Sequence, residues 1–350
     1  LALDPFALTL HHLIDNSIDL SAFHEKYNND AGGRAAYNPA ILLKIVLFAY
    51  AKGVQSSREI QWQCEHNIIF KALSCDSVPH WTSIANFISA YPDAIESVFE
   101  QVLLTCDSRG LLGHELLAID GCKMSSNAAK EHSGTLEEFK QKREKIRKRI
   151  QHCMKEHKKL DKRKPRERER KERLEQQLAS LDKHFEKIDQ FLKTATPRMG
   201  QGKRPKEVKS NLTDNESAKM TTSKGTIQGY NGIATVDKKH QIIVDAQAFG
   251  EGQEHHTLQP VLESVKATYQ RTGISEDVFA EGIIVTADTG YSNEDNNAYL
   301  KEEGIDAYIP DNKFRSRDPK FKHQKTRHGK RHQDKVVGIQ AVIPASEFTF

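Results

Sequence analysis

The chain has 350 residues, with 52 Lys and Arg against 48 Asp and Glu and a formal net charge of +4. Charged residues are 29% of the sequence, mean hydropathy is −0.65, and no apolar run approaches the roughly 20 residues needed to cross a bilayer, which argues against membrane-spanning helices. Five scattered cysteines, Cys64, Cys75, Cys106, Cys122 and Cys153, never spaced as C-x-x-C, point to reduced thiols in the cytoplasm and away from a structural zinc site.

Residues 1–112 read as helical throughout. Pro39, with Asn38 as cap, opens a helix whose broad apolar face carries Ile41, Leu42, Ile45, Val46, Phe48 and Ala49, and Gly53 closes it. Ser56 and Glu59 have the spacing of a capping box for a second helix running through Ile60 and Trp62. A third begins near Thr82 and a fourth after Pro92. Short helices joined by tight turns are the ingredients of a helix-turn-helix unit, in which Trp81, Thr82, Ser83 and Asn86 face DNA, with Arg58 beside them. The same pattern also serves small domains that only pack.

Leu116 to Ile119 is an unbroken apolar run that suits a buried strand, and Asp120 stands at its end. An Asp opening a tight Asp-Gly turn accounts for this stretch equally well. From Leu136, the residues Phe139, Ile146, Ile150, Cys153, His157 and Leu160, then Leu174, Leu178, Leu181, Phe185, Ile188 and Leu192, trace a heptad seam interrupted at Pro165. This predicts an antiparallel helical hairpin over residues 136–195 with a basic tip at Arg163, Lys164, Arg166 and Arg168. Lys140–Arg173 holds 18 Lys and Arg against six Asp and Glu, an electrostatic footprint for a polyanion such as double-stranded DNA. An arm that only spaces or dimerises fits the seam as well. Thr196–Lys209 is a basic linker with Lys203, Arg204 and Lys206 available to DNA, and Lys313–Lys335 is a further basic segment.

Strands follow at Tyr230–Asp237 and Gln241–Ala246, then an amphipathic helix from His255 to Arg271 with Leu258, Val261, Leu262 and Val265 inward. Ile283, Ile284, Val285 and Thr286 form a second β-branched run that ends in an aspartate, Asp288. A helix capped by Ser292 and a short strand at Asp306–Pro310 complete a mixed sheet. Two buried-type strands, far apart in sequence, each deliver one carboxylate at the strand end, as a Mg²⁺ site requires, with Mn²⁺ as a substitute.

Several stretches together resemble the DDE transposases of bacterial insertion sequences. They are Tyr37-Asn38-Pro39, Gly53-Val54-Gln55-Ser56-Ser57-Arg58-Glu59-Ile60, Ala118-Ile119-Asp120-Gly121, Leu212-Thr213-Asp214 with Met220, Gly229-Tyr230-Asn231 leading to Ala234-Thr235-Val236-Asp237, and Ala287-Asp288-Thr289-Gly290-Tyr291. The resemblance covers nearly the whole chain. It implies an α/β protein: an all-helical N-terminal domain over 1–112 that binds DNA, then a ribonuclease-H-like mixed sheet interrupted by an antiparallel helical hairpin. The first strand of that core lies in 113–135, the hairpin in 136–195 and the remainder in 196–350. It implies metal-dependent DNA cleavage and strand transfer, with Asp120 and Asp288 as catalytic metal ligands, on terminal inverted repeats and target DNA, by a homodimer associated with the nucleoid. No histidine base is needed, so His132, His255 and His256 are expected to be surface or packing residues.

The family holds a third carboxylate on a helix beyond the fifth strand. Glu302 and Glu303 come too early for it, and Glu347 stands in a short apolar tail. The third ligand is therefore expected to be missing from this chain, as in a copy truncated at its C-terminus. The alternatives are a catalytically inactive DNA-binding remnant and a non-enzymatic coiled-coil dimerisation protein.

Overall fold

The computed structural model describes residues 4–24, 36–160, 164–200, 204–311, 314–317 and 319. The chain divides into two compact units, Leu1–Leu112 with Thr268–Glu276, and Gly113–Ala267 with Asp277–Phe350.

In the first unit, helices α1 (Pro5–Asn16), α2 (Ser21–His24), α3 (Pro39–Ala51), α4 (Ser57–His66), α5 (Ile68–Leu73), α6 (Trp81–Ala90) and α7 (Pro92–Ser108) share one apolar core. The centre is α3, which buries Leu42, Leu43, Ile45, Val46, Phe48 and Ala49, too many residues for a single stripe, so its neighbours pack around it. Asn38 caps α3 as its sequence suggests, with Oδ1 accepting from Ala40 N at 2.9 Å. Lys44 is buried on the same helix and meets the Asp15 carboxylate at 2.9 Å, which removes the cost of an unpaired charge. Ser56 does occupy the N-cap of α4, but its side chain makes no capping bond, so the expected capping box is absent there.

The second unit is built on a mixed sheet of strands β1 (Leu116–Ser125), β4 (Ala218–Thr222), β5 (Gly225–Asp237), β6 (Ile243–Phe249), β7 (Ile284–Ala287) and β8 (Ala307–Tyr308). The order is β4-β5-β1-β7-β8, with β6 also paired to β5. Strand β1 is central, antiparallel to β5 and parallel to β7. Its apolar run explains the position: Leu116, Leu117 and Ile119 are all buried, as a strand enclosed on both faces requires. Helix α10 (Leu258–Thr272) buries Leu258, Val261, Leu262 and Val265 completely. Helix α11 (Glu294–Glu302) follows β7, and its cap is Asn293 rather than Ser292, with Oδ1 accepting from Asn296 N at 2.7 Å. A short helix α12 (Phe314–Arg317) is the last described element.

Helices α8 (Leu136–Lys159) and α9 (Pro165–Thr194) form the hairpin between β1 and β4, joined at its base by the two-residue strands β2 (Ser133–Gly134) and β3 (Ser210–Asn211). The antiparallel pairing is fixed by Arg143 against Asp189 at 2.8 Å and His157 against Glu175 at 2.7 Å. A capping box that the sequence reading did not single out opens α8, with Thr135 and Glu138 as its members. Of the seam residues only Phe139, Cys153 and Ile188 are fully buried. Two helices cover only one side of a seam, so most of it stays partly exposed; Leu212 closes the base against Phe139 and Ile188.

Asp237, at the end of β5, is fully buried and accepts backbone N–H groups from Gly113, His114 and Lys239 at 2.9–3.2 Å. Asp237→Ala strands those donors, and an unfolding midpoint in denaturant is expected to fall by the equivalent of about 3 kcal/mol at unchanged m-value. A loss below about 1 kcal/mol would mean that water replaces the carboxylate.

Candidate active site

The parallel register of β1 and β7 pairs Leu116 with Ile284 and continues to Ile119 with Ala287. Asp288 follows Ala287 just past the end of β7. Asp120 follows Ile119 inside β1, which continues to Ser125 paired with β5 and so neither ends nor turns at Asp120 as the sequence suggests. The two carboxylates still stand at the same level of the sheet. Both are exposed, so burial imposes no cost on either charge. Each commits Oδ1 to a nearby backbone amide, Asp120 to Gly121 N at 2.8 Å and Asp288 to Gly290 N. Oδ2 of each has no hydrogen-bonding partner among the described residues.

A third carboxylate joins them that the sequence reading did not single out. Glu254 lies in a 3₁₀ turn, Glu254–His256, between β6 and α10, and is half-buried. Its Oε1 stands 3.3 Å from the point where a Cβ on Gly121 would lie, and its Oε2 stands 2.5 Å from the corresponding point on Gly290. Asp288 Oδ1 is 2.9 Å from that second point, so glycine at 290 leaves the space the two carboxylates share. Burial first, and then the neighbouring charge of Asp288, push the Glu254 carboxyl above the usual range; Lys123 and the Asn231 amide pull the other way, and Asp120 adds to the rise. Lys123 is only a partial counter-charge, since its ammonium bonds the Thr221 carbonyl at 3.1 Å.

Two fully buried side chains complete the surroundings. The Tyr291 hydroxyl lies 3.4 Å, and the Asn231 Oδ1 3.2 Å, from the vacant Cβ position of Gly121. Neither the hydroxyl nor the amide completes a hydrogen bond of normal geometry, although Asn231 is close enough to Glu254 to favour its ionised form and Tyr291 is close to the Thr257 side chain. Leaving such a group unsatisfied costs about 1–3 kcal/mol. Burial, followed by Glu254, Asp120 and Asp288, drives the Tyr291 hydroxyl strongly upward, so it stays a protonated donor at neutral pH.

Carboxylate oxygens of this kind are the hard donors that a divalent cation takes. Among the described residues no group of three His, Cys, Asp or Glu side chains is placed to hold a metal ion. The oxygens line a rim instead.

The DNA-contact candidates fall in three places. On α4, Arg58 is exposed and stacks its guanidinium 4.6 Å from the Trp81 ring, while Gln61 accepts from Trp81 N at 2.8 Å and pins the start of α6. On α6 the Thr82 hydroxyl is engaged by His80 at 2.8 Å, Ser83 is half-buried and Asn86 is exposed. At the hairpin, Lys164, Arg166 and Arg168 are exposed, and Arg163 lies outside the described residues. In the linker, Arg204 and Lys206 are exposed where the chain folds back through a Met199–Glu207 bridge, and Lys203 lies outside the described residues. Glu347 and most of the basic segment Lys313–Lys335 also lie outside them. His132 packs edge-on against His184 at 5.4 Å and His255 against His256 at 4.0 Å, with His256 Nδ1 also 3.3 Å from the Glu251 carboxylate.

Two family models match the sequence. Residues 3–90 match the Transposase domain (DUF772) and residues 189–348 match the Transposase DDE domain. The chain belongs to the DDE transposases. No curated protein and no solved structure matches it significantly. Asp288 falls inside the DDE match and Asp120 between the two matched stretches, so the place of Asp120 beside Asp288 rests on the pairing of β1 with β7. The helical first unit and the mixed sheet agree with a ribonuclease-H-like transposase fold. The family acts on the DNA of its own element and works with divalent metal ions. No described helix of the transposase is long and apolar enough to cross a membrane.

Proposed function

We propose that the transposase cuts and joins DNA at a site where Asp120 and Asp288 hold a divalent ion, Mg²⁺ in the cell and Mn²⁺ as a working substitute. The observation that carries this reading is the delivery of both carboxylates at one level by adjacent parallel strands. The ion, when bound, supplies activation of water or a 3′-hydroxyl and neutralises charge on the attacked phosphodiester. The aspartates contribute fixed orientation, each anchoring Oδ1 on a backbone amide, and their carboxylates would hold the ion. The Tyr291 hydroxyl and the Asn231 amide orient water at the rim of the site.

DNA contact is assigned to Arg58, Thr82, Ser83 and Asn86 in the helical domain 1–112, to Arg163, Lys164, Arg166 and Arg168 on the hairpin 136–195, and to Lys203, Arg204 and Lys206 in the linker. The core, 113–135 with 196–350, carries the chemistry. The substrates are the terminal inverted repeats of the element and target DNA, engaged by a homodimer in the cytoplasm, on the nucleoid.

Incubation of the full chain with DNA carrying the element's ends tests the reading. Strand cleavage, followed by product length, is expected with Mg²⁺ or Mn²⁺ and is expected to stop when EDTA is added. Cleavage that persists in EDTA, or none with either ion, contradicts it.

A further inference from the structure

We propose that His132, Lys142, His184 and Lys187 form an anion site at the base of the hairpin, which takes a phosphodiester group of the DNA backbone. The site rests on membership of a family that acts on DNA. It needs neither the ion held by the aspartates nor the basic tip of the hairpin.

Three observations carry it. First, basic side chains from three segments converge there. His132 ends the 3₁₀ turn Lys130–His132 that leads into β2, Lys142 lies one turn beyond Phe139 on α8, and His184 and Lys187 lie one turn apart on α9. The two imidazoles pack edge-on with centroids 5.4 Å apart, and the charges of both lysines reach both rings. Second, no carboxylate pairs with either lysine among the described residues. The Lys142 ammonium donates to the Glu131 carbonyl at 3.1 Å and that of Lys187 to the Thr213 hydroxyl at 2.9 Å, both neutral acceptors, so each keeps its charge and further N–H groups for an anion. Third, His184 Nε2 is buried and has no hydrogen-bonding partner. A buried nitrogen of this kind is ordinarily matched by a protein group or water, and a phosphate oxygen fills that place when the ring is protonated.

The cluster is held in place by the closed base of the hairpin: Leu212 N donates to the His132 carbonyl at 3.1 Å, while the Leu212 side chain packs on Phe139 and Ile188. Two ammonium groups repel a metal cation and attract a phosphate. Burial first holds both rings below the ordinary histidine range. Lys187 and then Lys142 add to this at His132, with Glu131 opposing, and Lys142, His132 and Lys187 add to it at His184. A bound anion reverses that balance and favours the protonated rings. Binding therefore takes up protons, and affinity rises as pH falls through the range of the bound rings, until the free rings are protonated as well.

The test follows the ring signals of His132 and His184 in the full chain by NMR against pH, with and without inorganic phosphate as the probe. Affinity for a DNA duplex is measured alongside at about pH 6 and about pH 8, on either side of the histidine range. Phosphate is expected to raise the pKa of both rings, and DNA to bind more tightly at the lower pH. With Lys142→Gln and Lys187→Gln together, the effect of phosphate is expected to vanish and the advantage of low pH to shrink. The slope of log K against log salt is expected to fall by about 0.9, the share of one phosphate contact. The double variant is expected to melt no lower than the wild type, because repulsion is relieved; a lower melting temperature with unchanged ring titration would make the lysines supports of the hairpin and overturn the site. Should the double variant fail to fold, Lys187→Gln alone, at an exposed position, carries the same comparison. The variant with Gln at Arg163, Lys164, Arg166 and Arg168 is expected to keep the advantage of low pH, which separates the base from the tip. Rings that titrate alike with and without phosphate overturn the site. Rings that respond to phosphate in a chain whose DNA affinity, salt slope and pH dependence survive the lysine substitutions overturn DNA as the source of the phosphate.

Discussion

Asp288→Asn is expected to reduce strand cleavage by at least about a hundredfold while DNA binding, measured by gel shift, stays at the wild-type level. The substitution keeps the shape of the side chain and an oxygen to accept from Gly290 N, so the turn Thr289–Tyr291 persists. What disappears is a negative charge at the point where β7 meets β1. Misplacement of reacting groups by about 1 Å already costs on the order of a hundredfold, and loss of a ligand both weakens the ion and releases its geometry. Asp120→Asn is expected to do the same, since Asp120 stands at the same level on the neighbouring strand. Neither variant should melt lower than the wild type without metal, because each relieves repulsion from Glu254. Wild-type cleavage in either variant would place the ion elsewhere.

The aspartate pair was legible because it depends on two strong local signals. Leu116–Ile119 and Ile283–Thr286 are apolar and β-branched runs followed by a carboxylate, and each forms strand in the sheet, although β1 does not stop at Asp120 but runs on to Ser125. The hairpin was legible for a similar reason, since a heptad seam survives even when only part of it is buried. Glu254 carries no such signal. It sits in a one-turn 3₁₀ segment among polar residues, and what brings it near the aspartates is tertiary contact with Gly121 and Gly290, which lie more than thirty residues away in sequence on either side.

Strand β4 escaped for a different physical reason. Ala218–Thr222 buries only Met220 fully and pairs on one side alone, so as an edge strand it has little apolar alternation to reveal it. Caps were misplaced where two polar residues compete for one position: Asn293 rather than Ser292 supplies the bond that starts α11, and the same Asn293 also donates to His255. The choice between them is made by tertiary contact with the Glu254 turn, which no local spacing encodes. Position in space thus decides which residues surround the two aspartates, while the aspartates themselves follow recognisable strand patterns.

Replacing Arg163, Lys164, Arg166 and Arg168 together with Gln is expected to weaken DNA binding and flatten its salt dependence. Lys164, Arg166 and Arg168 are exposed, on or beside the first turn of α9. Lys164 and Arg168 are partly occupied by Glu167 and Glu172 at 3.8 and 3.3 Å, ion pairs that are exposed and worth little to the fold. The hairpin is held instead by Phe139, Ile188 and Leu212 at its base and by the Arg143–Asp189 pair, none of which is altered. Folding should therefore be retained, and helix content by circular dichroism should be unchanged. On DNA, each phosphate contact removed lowers the slope of log K against log salt by about 0.9. Four contacts would reduce it by about 3.6, with the loss of affinity greatest at low salt. Arg58→Gln on the helical domain is expected to change the slope by no more than about one contact, which gives the scale for comparison. A quadruple variant with the wild-type slope would remove DNA from the role of the tip, and a shift from dimer to monomer in the same variant would assign its charge to contact between two copies of the transposase.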